Sequence, residues 1–135
     1  MPLGTNREAI GPYWTDTVEF SFDSGASAGD LGARDIDATV IVPTYEAPFA
    51  GWVAWISVNA VGGSFSAAVF LVQVETTADA DSSFNPGAAA TGYTSFAPSK
   101  VPFAAGNSLA VEIDSYTTFR DCTVKLGLVY DTSAI

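Results

Sequence analysis

The residues that could do chemistry in this chain are few, and what is missing narrows the options. There is no histidine among the 135 residues. That removes Ser-His-Asp and Cys-His nucleophile systems, imidazole metal ligation and the commonest general base. Cys122 is the only cysteine, so no internal disulfide can form. It opens a run in which Cys122, Val124, Leu126, Leu128 and Tyr130 alternate with other residues, the setting of a buried structural thiol and not of a reactive thiolate.

Carboxylates remain. A glycoside hydrolase needs only two acids facing one another across a cleft, and Glu75, Glu112, Asp114 and Asp121 are the candidates. With fifteen acids on a small surface, chance pairs are expected, so this reading ranks last. Asp79 and Asp81, followed by Ser82, Ser83 and Asn85, resemble the start of a calcium loop but lack the glycine and distal glutamate that such a loop uses. A solvated turn is the expectation, with no metal and no cofactor. Trp14, Trp52 and Trp55, with five Tyr and nine Phe, could build a sugar-stacking platform. The odd separation of Trp52 and Trp55 predicts opposite faces of one strand, which favours core and interface roles.

The elements that must position these residues are strands. Val18, Phe20 and Phe22 alternate with polar residues, Ile36 to Val42 is a β-branched run, and Trp52 to Asn59, Phe65 to Thr76, Tyr93 to Phe96, Ser108 to Asp114 and Cys122 to Tyr130 follow. Gly62-Gly63 between Trp52–Asn59 and Phe65–Thr76 predicts a hairpin. Ser24 to Arg34 and Ala78 to Gly92, rich in small and polar residues, read as loops. No segment holds the 3.6-residue apolar period. The expectation is all-β: an antiparallel jelly roll or β-sandwich of about eight strands, occupying residues 17–135. Residues 1–16, interrupted by Pro2, Gly4, Gly11 and Pro12, read as an extended N-terminal arm ending in the anchors Tyr13 and Trp14.

Hydrophobic residues make up 48% of the chain and charged residues 15%, against a usual charged share of about a quarter. Apolar surface is therefore left over for an interface. The formal net charge is −10, with Arg7, Arg34, Lys100, Arg120 and Lys125 scattered. No basic stripe exists, which disfavours nucleic acid and anionic lipid as partners. Met1 to Arg7 lacks the apolar run of a signal peptide, and no uncharged tract reaches transmembrane length. Synthesis in a reducing cytoplasm is expected.

The stretch Tyr45-Glu46-Ala47-Pro48-Phe49-Ala50-Gly51-Trp52-Val53, followed by Val101-Pro102-Phe103-Ala104-Ala105-Gly106-Asn107-Ser108-Leu109-Ala110-Val111 and by Leu126-Gly127-Leu128-Val129-Tyr130, resembles trimeric jelly rolls of the complement-globular-head and tumour-necrosis-factor type. Asn107 stands where that family commonly has Asp. Short versions rich in Ala, Gly and Asp are similar to tailed-phage virion proteins, either capsid cement or decoration subunits or fibre heads. The resemblance implies a homotrimer seated on a larger assembly. The expectation is thus a capsid decoration subunit of the virion that binds the major capsid or another virion protein through Tyr13, Trp14, Phe84 and Tyr93. The alternatives are a receptor- or carbohydrate-binding fibre head, using the loops Ser24 to Arg34 and Ala78 to Gly92, and a small carboxylate-dependent glycoside hydrolase.

Overall fold

The computed structural model describes residues 13–22, 44–65, 68–114 and 118–133. Within them the chain forms nine strands: β1 (Tyr13–Phe22), β2 (Tyr45–Glu46), β3 (Gly51–Ser64), β4 (Val69–Val74), β5 (Thr77–Ala78), β6 (Thr91–Ser95), β7 (Pro102–Phe103), β8 (Ser108–Asp114) and β9 (Thr118–Asp131). The one helical turn described is a short 3-10 turn, Ala80–Ser82. The expected loop Ser24 to Arg34, the expected strand Ile36 to Val42 and the first twelve residues lie outside the described ones.

The strands build two antiparallel sheets. The first has the order β1-β9-β3-β6, with β7 also against β3, and the second has the order β2-β8-β4-β5. Along the chain the strands pass back and forth between the sheets, so that β1 lies beside β9 and β2 beside β8. This is the wrapping of a jelly roll, and the all-β sandwich expected from the alternation is what forms.

Burial explains the alternation. On β9 the side chains of Cys122, Val124, Leu126, Leu128 and Tyr130 point inward, each no more than 5% exposed. Phe20 on β1, Val53, Ile56 and Val58 on β3, Phe70 and Val72 on β4, and Leu109, Val111 and Ile113 on β8 belong to the same core. Truncating one of these to alanine removes buried area and leaves a cavity, at a typical cost of about 2–5 kcal/mol.

Two expectations change. Tyr13 to Asp16 are not arm: they are the first four residues of β1 and pair with Asp131 to Leu128. The hairpin between β3 and β4 does not exist, because the two strands belong to different sheets. β3 runs straight through Gly62 and Gly63, which pair with Arg120 and Phe119 of the equally long β9. A glycine pair permits a turn without compelling one. The two-residue strands β2, β5 and β7 were too short to show periodicity.

The glycines of the family-like motif serve different ends. Gly106 adopts φ +84, the left-handed turn that glycine takes most easily, and Asn107 Oδ1 closes that turn by accepting from Ala104 N at 2.7 Å. Gly51 is needed for close approach, since a Cβ there would sit 1.9 Å from the Val129 carbonyl oxygen.

Candidate interaction surface

The outer face of the first sheet carries aromatic side chains where an antiparallel sheet ordinarily presents polar residues to water. A register irregularity between Val53 and Trp55 on β3 causes this. Trp52 pairs with the outward Val129, Val53 with the inward Leu128, and Trp55 with the outward Gly127. Ala54 is the extra residue of a bulge, which resets the alternation; its carbonyl accepts from Phe96 N at 2.8 Å. Trp52 and Trp55 therefore share one face, correcting the expectation of opposite faces. Tyr13 meets Trp52 edge-on with ring centroids 5.6 Å apart, and Trp55 meets Tyr93 at 5.9 Å. The Trp55 indole lies against Gly127, where a Cβ would fall 2.0 Å from its Nε1.

One end of this face merges with the tip of the sandwich. Trp14 stands opposite Tyr130, and Phe49, in the turn entering β3, packs edge-on against the same Tyr130 ring at 5.8 Å. Tyr13, Trp14 and Phe49 are 42%, 41% and 37% exposed. Tyr13 lies on the outer face and Trp14, paired with the inward Tyr130, on the inner side of β1, both at the same end of that strand. Beneath them Asp16, Tyr45 and Tyr130 make a polar clasp. The Tyr45 and Tyr130 hydroxyls are 2.7 Å apart, and Asp16 Oδ2 lies within accepting distance of both, at 3.4 and 3.2 Å. Because Tyr45 is on β2 and Asp16 on β1, the clasp ties the two sheets together at their neighbouring edges. Burial, then the Tyr45 hydroxyl and the Asp16 charge, push the Tyr130 phenol well above its ordinary pKa.

The other end of the face is polar. Glu19, Ser57, Asn59, Thr123 and Lys125 line a shallow depression of about 220 Å³. The Lys125 ammonium and Glu19 carboxylate, each just over half exposed, are 3.9 Å apart.

The four residues expected to bind a partner do not form one patch. Tyr13 and Trp14 are adjacent at the start of edge strand β1. Tyr93 is 62% exposed on the opposite edge strand, β6, paired with Ser57 of β3. Phe84 is half-buried against the core and bridges Phe70 of β4 through two backbone hydrogen bonds. Its ring packs against the core of its own domain. Phe49 was not foreseen as a member of the surface, and the bulge that puts both tryptophans on it leaves no sequence signal.

Two of the four candidate carboxylates, Glu75 and Glu112, are held by neighbouring side chains and backbone. Glu75 accepts from Ser108 N at 2.8 Å and Ser108 Oγ at 3.0 Å, which holds its carboxyl below the usual range. Glu112 is buried and accepts from Gln73 Nε2. The side chains of Asp114 and Asp121 lie outside the described ones. Asp79 caps the 3-10 turn by accepting from Asp81 N at 2.9 Å. Among the described residues no group of three acids or thiols could hold a metal. Burial pushes the Cys122 thiol up to about 12.

No family model matches the chain, and no curated protein does. Among solved structures, the chain is similar to one from the acidic stable capsid structure of Helicobacter pylori bacteriophage KHP30, with a TM-score of 0.52 and 16% identity, across 90% of this chain and 89% of that one. At this identity the likeness establishes a shared fold, over nearly the whole length of both chains.

Proposed function

We propose that the protein is a structural subunit of a bacteriophage virion that attaches to neighbouring shell proteins. The observation that carries this reading is the exposure of three aromatics, Tyr13, Trp14 and Phe49, at the end of the sandwich where β1 begins and the chain turns into β3. Large aromatics that stay exposed on a folded domain gain most by burial in an interface, and such residues dominate binding energy. The shared fold with a chain from a phage capsid supports the setting. The finer reading is a decoration or cement subunit, homotrimeric as the complement-head resemblance implies, whose partner is the major capsid or another virion protein. Its location is the virion. Its action is mechanical: each subunit buries area that opposes expansion of the shell. It does no chemistry in this reading.

The test is co-sedimentation with phage shells lacking the protein. The parent chain is expected to co-sediment, and Trp14→Ala with Phe49→Ala to lose attachment while retaining a β spectrum. Unchanged attachment of that double variant would remove the tip from the binding surface. Shells that bind no parent protein would end the virion reading.

A further inference from the structure

We propose that the polar end of the outer face of the first sheet binds a neutral carbohydrate, with Tyr93 and Trp55 as the stacking surface and the Glu19–Lys125 depression as the hydrogen-bonding side. The inference goes beyond the virion reading and stands or falls separately from it.

Three observations carry it. The first is the juxtaposition of chemistries. Ser57 pairs across the ladder with Tyr93 on one side and with Lys125 on the other, so the aromatic pair and the polar depression share a border. A sugar ring presents an apolar face and a rim of hydroxyls that both donate and accept. Here the aromatic rings meet the first need, and the amide of Asn59, the hydroxyls of Ser57 and Thr123, and the paired charges of Lys125 and Glu19 meet the second.

The second is charge. The chain carries −10, which repels an anionic ligand at long range. Within the depression Lys125 faces Glu19 at 3.9 Å, so the two side chains cancel locally. A neutral polyol suits such a site better than a sialylated or sulfated one.

The third separates a sugar from a second protein. The cores of protein interfaces are depleted in charged residues, and docking a flat apolar surface here would strip water from Glu19 and Lys125, both over half exposed. A carbohydrate keeps them hydrogen-bonded. The volume, about 220 Å³, is below the roughly 300–1,000 Å³ of pockets for drug-sized ligands, which sets the occupant at about one sugar ring with its neighbours in solvent.

The experiment uses an array of neutral oligosaccharides of glucose, galactose, mannose and N-acetylhexosamines, beside sialylated and sulfated counterparts. The strongest neutral hit is then titrated into the full chain while the three indole N–H signals are followed, each assigned by substitution. The full chain is expected to retain neutral glycans, to shift the Trp55 indole signal and to leave that of Trp14 in place. Tyr93→Ala should weaken binding roughly tenfold or more, as loss of one stacking ring predicts, while Tyr93→Phe keeps most of it. Asn59→Ala provides an independent check, since Asn59 is exposed and its loss leaves the core untouched. Retention of no neutral glycan, a preference for anionic ones, or equal binding by Tyr93→Ala and Asn59→Ala would overturn the proposal. So would a fall in particle mass on Tyr93→Ala with no glycan effect, because that would make the face a protein interface.

Discussion

One residue shows how little sequence it takes to set this surface. At Gly127 the missing side chain is what lets the Trp55 indole lie across β9, since even a methyl group would overlap Nε1. Gly127→Ala is expected to push the indole outward at a cost of about 1–3 kcal/mol, typical of overpacking. Tryptophan emission should shift to the red together with the drop in melting temperature; an unchanged spectrum would mean that the ring does not rest there. Cys122 carries a second prediction, for alkaline pH. Its thiol rises from an ordinary 9.0 to about 12 in the folded chain. The folded state thus holds its proton where the unfolded state has released it, and the stability of the neutral buried thiol is whole below pH 9 and drains away toward pH 12. Tyr130, also raised, drains in the same direction from about pH 10, loosening the clasp with Asp16 and Tyr45. Denaturant midpoints measured from pH 8 to 11 should fall, and Cys122→Ala should fall less steeply. The burial of Cys122 was readable in the sequence from the apolar alternation that follows it. The clasp was not, because Asp16, Tyr45 and Tyr130 converge only after two sheets have closed.

At the scale of elements, what could be read depended on length and on which neighbour a strand takes. β9 announces itself by alternation against a buried face, while β8, buried on both faces from Leu109 to Ile113, has the bounds its apolar run implies. The β3–β4 hairpin misled because the Gly62-Gly63 signal is local, whereas β3's pairing is decided by the fourteen-residue β9 far along the chain. The bulge at Ala54 is invisible for the same reason: period-two reasoning presumes an unbroken register, and one extra residue turned Trp55 to the same side as Trp52. The real two-residue hairpin, β4 to β5, hides behind unsuitable residues. Glu75 and Thr76 both hold positive φ, 52 and 68, a turn that ordinarily selects Asn and Gly. Glu75 is held there by Ser108. The Thr76 hydroxyl donates to the Glu75 carbonyl next door, leaving the β-branched residue in a left-handed conformation. Thr76→Gly is therefore expected to stabilise the fold by roughly 1 kcal/mol. A melting temperature that falls would mean that the glycine entropy lost on folding outweighs the relieved strain.

At the scale of the whole molecule, an acidic chain with a low share of charged residues faces two opposed forces on self-association. Burial of the Tyr13, Trp14 and Phe49 tip, at about 25 cal/mol per Å² of apolar area, draws copies together. Their net charge of −10 each pushes them apart. The opposing term is screened by salt and the attractive one is not: the Debye length falls from about 30 Å at 0.01 M to about 8 Å at 0.15 M. If copies associate through the aromatic tip, the mass seen by light scattering should exceed the 14.0 kDa monomer and should rise with salt at fixed protein concentration. Trp14→Ala should lower it at every salt concentration by removing attraction while the charge stays the same. Assembly held by complementary charges would behave in the opposite way, since salt would then weaken the pairing. With only five cationic residues against fifteen acids, the molecule has few positive groups to offer an acidic copy of itself. A mass that falls on adding salt would show that those few suffice and that the aromatic tip is not what joins the copies.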